Sequence, residues 1–168
     1  GCKTIAHITR TSEIGNIYSE RKRGYIDALK DHNMLIDNDL IINLNTVGFE
    51  ESEIAFNKLF NLPNHPDGIF AAGDMLAISA IQCAKKRGIK IPEELAIIGF
   101  NNDPNSTIIE PNLSTITHPA EKMGQASAEI ILKNLKSSEQ SAKNDVKEIM
   151  YLNTEVLIRE SSKRNNTN

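Results

Sequence analysis

Short apolar runs alternate with longer stretches of helical periodicity along most of the chain. The runs have the length of buried strands, and the stretches between them place apolar residues three or four positions apart, as helices do. Strands that alternate with helices form βαβ units, in which the strands are parallel and helices cover both faces of the sheet. The pattern therefore predicts an α/β fold with three layers and a doubly wound, mostly parallel sheet.

Five strands and four helices are predicted before a polar linker at 136–145. The predicted strands are Thr4–Ile8, Leu40–Leu44, Gly68–Ala72, Leu95–Phe100 and Ser114–His118. The predicted helices are one from Ile17 that ends near Asp31–Asn33, then Phe49–Phe60, Met75–Arg87 and Ala120–Leu135. After the linker, Ile149–Leu152 and Glu155–Ile158 are predicted as closing strands, and the polar residues 161–168 as a disordered tail.

The helix Met75–Arg87 has clear end signals, with Asp74 suited as its N-cap and Gly88 as its terminating glycine. Its sequence is apolar on nearly all sides, so two of its faces need to be covered. One face lies on the sheet. The other is covered either by the rest of the domain or by a second subunit packed around a two-fold axis, and the helix alone leaves both open.

The charge balance argues against bulk nucleic-acid binding by this chain. It has 19 Lys and Arg against 22 Asp and Glu, a net charge of −3, whereas a protein that neutralises phosphates is normally basic on one face. No run approaches the roughly 18 apolar residues of a membrane span. Cys2 and Cys83 lie too far apart to indicate a disulfide framework or a zinc pattern, which favours thiols in a reducing compartment.

The sequence contains no common catalytic motif: we find no GxSxG, Walker or glycine-rich dinucleotide pattern, and the four histidines are widely spaced. Asp67, Asp74 and Asp103 follow or precede predicted strands and would suit Mg²⁺, but capping and turn roles account for Asp74 and Asp103. We therefore expect that the protein is not an enzyme and that it binds no metal ion or cofactor. The polar loop 101–107 after a buried strand is either an ordinary turn or part of a ligand crevice.

Several motifs occur in order over nearly the whole chain, and together they resemble the lactose-repressor (LacI/GalR) family of bacterial transcription regulators. They are Arg21-Lys22-Arg23-Gly24-Tyr25, Pro66-Asp67-Gly68-Ile69-Phe70-Ala71-Ala72-Gly73-Asp74, Gly88-Ile89-Lys90-Ile91-Pro92-Glu93-Glu94-Leu95, Ile97-Ile98-Gly99-Phe100-Asn101-Asn102, Pro111-Asn112-Leu113-Ser114-Thr115-Ile116 and Leu157-Ile158-Arg159-Glu160-Ser161-Ser162.

The resemblance implies a periplasmic-binding-protein-like lobe, with residues 1–160 as the C-terminal effector-binding and dimerisation region and 118–147 crossing towards an N-terminal lobe. The abrupt Gly1-Cys2-Lys3 start agrees with a piece of a longer protein. The implied partners are a small effector, a sugar or sugar phosphate, and a second copy in a homodimer. DNA would be contacted only through a helix-turn-helix outside this chain, in the cytoplasm and with no membrane involved.

The resemblance also implies site residues. Arg21 matches the arginine with which family members bind the effector, and Asn101 matches a ligand contact that is usually aspartate. Phe70 matches a position that lies against a ligand ring, although it equally suits packing in the sheet, and His118 one that lines the cleft. The implied dimer surface comprises Met75, Ile78, Ile81, Ile108 and Ile109.

Two other classes share this pattern of elements. A periplasmic sugar-binding protein has the same lobes, with a signal peptide and without a helix-turn-helix. A flavodoxin-like enzyme or phosphoacceptor domain has the same alternation of strands and helices, with acidic residues clustered at the strand ends.

Overall fold

The computed structural model describes residues 1–11, 16–46, 48–137 and 149–164. Its strands are β1 (Ile5–Arg10), β2 (Ile41–Leu44), β3 (Gly68–Ala71), β4 (Ala96–Asn101), β5 (Ser114–Thr117) and β6 (Val156–Leu157). Its α-helices are α1 (Ile17–Asp31), α2 (Phe49–Phe60), α3 (Asp74–Lys86) and α4 (Ala120–Ser137). Short 3-10 helices span Asn38–Leu40 and Pro104–Thr107. The five strands and four helices predicted before the linker are all present, with ends within two residues of the prediction.

The six strands form one sheet in the order β2-β1-β3-β4-β5-β6. The first five strands are parallel, and β6 pairs antiparallel with β5. The order 2-1-3-4-5 is that of a doubly wound sheet, in which successive helices are divided between the two faces. The predicted three-layer, mostly parallel α/β fold is confirmed.

Alternation along β1 divides the core into two layers. Ala6 and Ile8 face the larger layer, which α2 and α3 build with side chains such as Phe56 and Ile81. Residues on the opposite face of the sheet pack against α1, where Tyr25, Leu29 and Ile41 are the buried members of a smaller cluster. The sheet therefore separates α1 from α2 and α3.

Two helices end in the left-handed backbone region. Gly88 has φ of 70° and ends α3, as predicted, and Asn33 has φ of 54° and ends α1. The N–H of Met34 donates to the Leu29 carbonyl, and that of Ile89 donates to the Ala84 carbonyl. Both ends are thus of the type in which an N–H beyond the helix satisfies a carbonyl of its last turn.

The prediction that Asp74 is an N-cap is wrong. Gly73 is the N-cap, and Asp74 is the first residue of α3. Its side chain is buried, and its carboxylate accepts hydrogen bonds from the Thr115 hydroxyl at 2.6 Å and from the Asp103 N–H at 2.6 Å. The carboxylate thereby joins the start of α3 to β5 and to the loop after β4.

The C-terminal segment differs from prediction. Ile149–Leu152 forms no strand, and β6 is shorter than the predicted Glu155–Ile158. The prediction of a disordered tail is wrong for residues 161–164. Ser161 is fully buried, and its hydroxyl donates to the Ile97 carbonyl and accepts from the Ser114 N–H. Residues 165–168 lie outside the described residues, as does most of the predicted linker.

The helix α4 contributes little to this core. Between residues 120 and 135 its side chains are exposed, except for the half-buried Ala126 and Ile130. Its exposed apolar side chains are Met123, Ile131, Leu132 and Leu135. Within the described ranges, no helix has the length and apolarity needed to cross a membrane.

Replacing Gly99 with alanine should destabilise the fold. A Cβ at this position would collide with Oδ1 of Asp74 and come within 3.2 Å of the Asp74 backbone and 3.1 Å of Leu113. Because those atoms are buried, we expect a loss of about 2–3 kcal/mol in the free energy of unfolding, as for other overpacked cores. Urea denaturation followed by circular dichroism measures this change.

The matched control is Gly24→Ala, in the exposed middle of α1, where an added Cβ meets nothing within 4 Å. Alanine is the better helix former, so this variant should be more stable by up to about 1 kcal/mol. Equal effects of the two substitutions would contradict the packing assigned to Gly99.

Candidate functional site

The carboxyl ends of the parallel strands lie at one edge of the sheet, together with the start of α1. Ligands of doubly wound folds bind at this edge because the loops there diverge to opposite faces. Arg10 ends β1, Asn101 ends β4, and His118 follows β5. This edge is therefore the candidate binding site.

Arg21, in the first part of α1, reaches across this edge. One of its terminal nitrogens donates to the Ala72 carbonyl at 2.6 Å, and the other donates to Oδ1 of Asn101 at 3.1 Å. Its guanidinium lies 3.8 Å from the centre of the Phe100 ring. Thus the structure brings together two of the four predicted ligand residues, Arg21 and Asn101, in direct contact.

The environment of Arg21 is partly desolvated. Burial lowers the pKa of its guanidinium, while interactions with Tyr18 and Asp74 oppose that shift. An arginine stays protonated in proteins, so the positive charge is retained. Arg10 adds a second charge nearby, since the guanidinium groups of Arg10 and Arg21 lie 5.8 and 5.9 Å from the centre of the Tyr18 ring.

The backbone of the loop after β4 directs the Asn101 amide. Asn101 and Asn102 have φ of 118° and 54°, a region that asparagine tolerates better than most residues. The Asn102 N–H donates to Thr115 Oγ1, and its Oδ1 accepts from Arg159 at 2.8 Å. Hydrogen bonds to neighbouring side chains thus fix Asn102 as well as Asn101, which accepts from Arg21.

Phe70 pairs with Ile98, three residues before Asn101, and it lies on the face of β3 that α1 shares. Its ring stacks on the His7 ring with centres 4.9 Å apart, and His7 stacks on Tyr25 at 5.0 Å. Phe70 is half-buried in this stack, so the structure gives it a packing contact.

His118 is exposed and follows Thr117, the residue that pairs with Asn101 across β4 and β5. The register therefore places His118 at the same edge as Asn101. Arg21, Asn101 and His118 share the edge, whereas Phe70 lies further back along the sheet.

His7 is a buried polar residue that the sequence-based selection of site residues missed. Its Nδ1 donates to the Phe70 carbonyl at 2.9 Å, since a carbonyl can only accept. Its Nε2 is then an unprotonated acceptor, and it has no hydrogen-bond partner among the described residues. Burial lowers the pKa of His7 to about 4, with Lys22 acting in the same direction and the bond to Phe70 against it. A histidine inside an otherwise apolar strand is the signal that could have drawn attention to it.

Arg159 was also missed. It donates to the Ser106 hydroxyl, the Leu113 carbonyl and Oδ1 of Asn102, and so ties the C-terminal segment to the loop beside the site. Its partners are separated from it by more than 40 positions along the chain. No local pattern could have indicated these contacts.

An open apolar groove of about 580 Å³ runs along the sheet face next to α1. Its lining is mostly aliphatic and aromatic, with Ile98, Phe100 and Ile116 among its members, and Arg21, His32 and Ser162 also contribute. Such a surface offers few partners to the hydroxyl groups of a sugar. In three-layer α/β folds helices cover both sheet faces, so the groove is a packing surface, and the strand ends stay the candidate ligand site.

A second apolar surface surrounds the start of α3. Met75, Ile78, Ile108 and Ile109 line a depression of about 310 Å³, and Met75 and Ile108 are 44% and 76% exposed. The inclusion of Ile81 in this surface is wrong, because Ile81 is fully buried in the core between α3 and the sheet. The other four predicted residues line this one depression, and Ile78, at 9% exposure, also belongs to the buried core.

The three aspartates near strand ends do not share a site. Asp67 accepts from the N–H groups of Lys3 and Thr4, at the amino end of β3, whereas Asp74 and Asp103 lie at the carboxyl edge. Among the described residues, no group of three or more His, Cys, Asp or Glu is arranged to hold a metal ion.

Residues 1–162 match the family of periplasmic binding protein-like domains. The chain is 34% identical over 143 residues to the NTD biosynthesis operon regulator NtdR of Bacillus subtilis, covering 85% of this chain and 42% of that protein. It is 33% identical over 112 residues to the HTH-type transcriptional repressor CytR of Escherichia coli, covering 67% of this chain and 33% of that protein.

Among solved structures, a sugar-binding transcriptional regulator of the LacI family from Escherichia coli, complexed with phosphate, superimposes with a TM-score of 0.77. It is 25% identical, and the match covers 96% of this chain and 55% of that one. The chain therefore spans less than half the length of the curated relatives described above, and about half of this solved structure.

Because His7 is buried in its neutral form, the protein should lose stability in acid. Its pKa is about 4 in the folded state against 6.5 for a free histidine, so between these values the unfolded chain binds the extra proton. The stabilisation is complete above pH 6.5 and is lost as the pH falls towards 4. We expect wild type to lose about 3 kcal/mol more than His7→Leu between pH 7.5 and pH 4.

Urea denaturation at both pH values gives the free energy of unfolding of wild type and of the variant. The difference between the two proteins removes the contribution of the other titratable groups, because both proteins contain them. His32→Gln replaces an exposed histidine at the end of α1 and should behave as wild type. A parallel pH dependence of wild type and His7→Leu would contradict the buried neutral state of His7.

Proposed function

The chain belongs to the family of periplasmic binding protein-like domains, and it corresponds to part of the effector-binding core of LacI-family regulators. We propose that it is the ligand-sensing and dimerisation region of a longer transcription regulator. The effector is a small molecule, a sugar or sugar phosphate. Its binding controls DNA binding by a helix-turn-helix outside this chain. In this proposal the protein senses a ligand and catalyses no reaction. It acts in the cytoplasm, where the DNA target lies.

The observation that carries this proposal is the contact between Arg21 and Asn101 at the carboxyl edge of the sheet. It joins the start of α1 to the end of β4, and it leaves further N–H groups of both side chains for a ligand. We assign His118 to the same edge as a ligand contact. Phe70 is a weaker candidate, because its ring packs against His7.

In this proposal the effector is bound between this lobe and a second lobe. A ligand that contacts both lobes favours the closed arrangement over the open one, by an amount equal to its difference in affinity for the two. The closed arrangement changes the relative positions of the DNA-binding segments in a dimer. The phosphate-bound relative supports a small effector that carries hydroxyl or phosphate groups.

The exposed apolar side of α4 suits a crossing of residues 118–147 towards the second lobe. Ile131, Leu132 and Leu135 are all more than half exposed, although such side chains are normally buried. Packing against a second lobe would cover them. Residues 138–147 of this proposed crossing lie outside the described residues.

The relatives favour a regulator over the two alternatives. The strand order is shared with flavodoxin-like domains, but the curated relatives are a regulator and a repressor of transcription. A periplasmic sugar-binding protein is likewise less consistent with relatives of this kind.

Replacing Arg21 with methionine should weaken effector binding. The full-length regulator is first screened by thermal shift against sugars, sugar phosphates and nucleobases, and a stabilising compound is then titrated by calorimetry. Loss of a charge-assisted hydrogen bond of about 1.5–3 kcal/mol predicts a 10- to 100-fold increase in Kd for Arg21→Met. If no compound stabilises the protein, or if Arg21→Met binds as wild type, the proposed site is wrong.

Arg23→Met is the control for this measurement. Arg23 lies two residues further along α1, is exposed and pairs with Glu20 on the surface. Removing its charge should leave Kd within about twofold of wild type, because exposed ion pairs contribute little.

We also propose that Met75, Ile78, Ile108 and Ile109 form the dimer surface. Two-fold packing would bury the side chains of Met75 and Ile108, which now face solvent. Sedimentation of this chain at tens of micromolar should therefore show a dimer. Ile108→Asp should shift it to a monomer, because a carboxylate would be buried at the interface without a partner.

Leu35→Asp provides the matched control for the dimer. Leu35 is 81% exposed and lies in the loop after α1, on the opposite side of the sheet from α3. This variant should remain a dimer. A monomeric wild-type chain, or a dimer that survives Ile108→Asp, would count against this surface.

A further inference from the structure

The two arginines at the candidate ligand site make their hydrogen bonds to uncharged groups. Arg21 makes its two hydrogen bonds at this edge to neutral acceptors, the Ala72 carbonyl and the Asn101 amide. Arg10 bonds to the Asn45 carbonyl, and its Nε is buried without a hydrogen-bond partner among the described residues. Within the described ranges, neither arginine lies at ion-pair distance from a carboxylate.

Three carboxylates near this edge accept hydrogen bonds from groups other than the arginines. Asp74 interacts electrostatically with Arg21, but it is buried, and its two oxygens accept from Thr115 and from the Asp103 N–H. Asp103 accepts from the Asn105 N–H, where it caps a 3-10 helix. Glu51 accepts from the N–H groups that follow β2. These bonds leave the carboxylates charged, but they direct the carboxylate oxygens at loops, and the N–H groups of the two arginines are not taken up by an ion pair among the described residues.

The orientation of Asn101 also favours an acceptor. The guanidinium of Arg21 can only donate, so the atom of the Asn101 amide that faces it is Oδ1. The remaining group of that side chain is its NH₂, which is a donor. Arg21 and Asn101 therefore both present N–H groups at the end of β4. An aspartate at position 101 would instead neutralise Arg21 with an ion pair and offer acceptors.

Ligand groups differ in how well they suit such a surface. A hydroxyl group both donates and accepts, whereas a carboxylate or phosphate oxygen only accepts and carries charge. Hydrogen bonds from arginine to these oxyanions are shorter and stronger than bonds between neutral groups. A site whose guanidinium groups form no ion pair among the described residues, and which adds an amide donor, is thus matched to an oxyanion.

We infer that the effector carries an oxyanion, a carboxylate or a phosphate group, which binds to Arg21 and the Asn101 NH₂ group, with Arg10 adding favourable potential. The inference rests on the proposed function, and it restricts the effector to acidic sugars or sugar phosphates. Neutral sugars of the same shape are disfavoured, because their hydroxyl groups accept weaker hydrogen bonds from arginine than an oxyanion does.

Calorimetry on the full-length regulator tests the inference with three probes of one ring: glucuronate, glucose 6-phosphate and glucose. We expect at least one anionic probe to bind 10-fold or more tightly than glucose. The carboxylate and phosphate probes show which oxyanion fits. Asn101→Asp should reduce this preference at least 10-fold, since the new carboxylate neutralises Arg21 and repels the anion.

The matched control is Asn102→Asp, which makes the same change of charge one residue later. Asn102 accepts from Arg159 and not from Arg21, so this variant should keep most of the preference. Glucose binding as tightly as both anions, or an unchanged preference in Asn101→Asp, would overturn the inference and leave the proposed function standing. Absence of binding by all three probes and by a wider sugar screen would instead contradict the proposed function.

Discussion

The buried carboxylate of Asp74 connects the segments that form the carboxyl edge of the sheet, where the candidate ligand site lies. Its oxygens accept from the Thr115 hydroxyl in β5 and from the Asp103 N–H in the loop after β4. A charge buried at this depth is costly unless it is hydrogen-bonded, so these donors and the carboxylate depend on each other. The close approach also requires Gly99 on the facing strand, where any side chain would collide with Asp74.

The position of Arg21 depends on this arrangement. The loop that Asp74 holds begins with Asn101 and Asn102, whose backbone lies in the left-handed region, and that turn directs the Asn101 amide at the guanidinium. Phe100 supports the other side of Arg21 at 3.8 Å. A positive charge is thus held in a fixed position at the strand ends, partly out of water, where its interaction with an anionic group is stronger than on an open surface.

The two apolar surfaces have different origins. The groove beside α1 is a sheet face, which in a three-layer fold belongs under a helix. The surface around Met75 and Ile108 lies instead at the start of α3 and includes a loop that follows β4. Asn101 ends the strand before that loop, so one part of the proposed dimer surface, Ile108 and Ile109, lies within eight residues of the candidate ligand site.

The amino-acid sequence by itself determined the elements and their class. Strands and helices follow from the local spacing of apolar residues, and glycine at 88 ends its helix through its own backbone freedom. Ordered motifs were enough to indicate the family. Only the tertiary structure decided that Asp74 is a buried bridge, that Ser161 belongs to the core, and that Ile81 is unavailable to a partner. It also assigned His7 to a buried stack. Each of these roles depends on residues distant along the chain, and local periodicity carries no information about them.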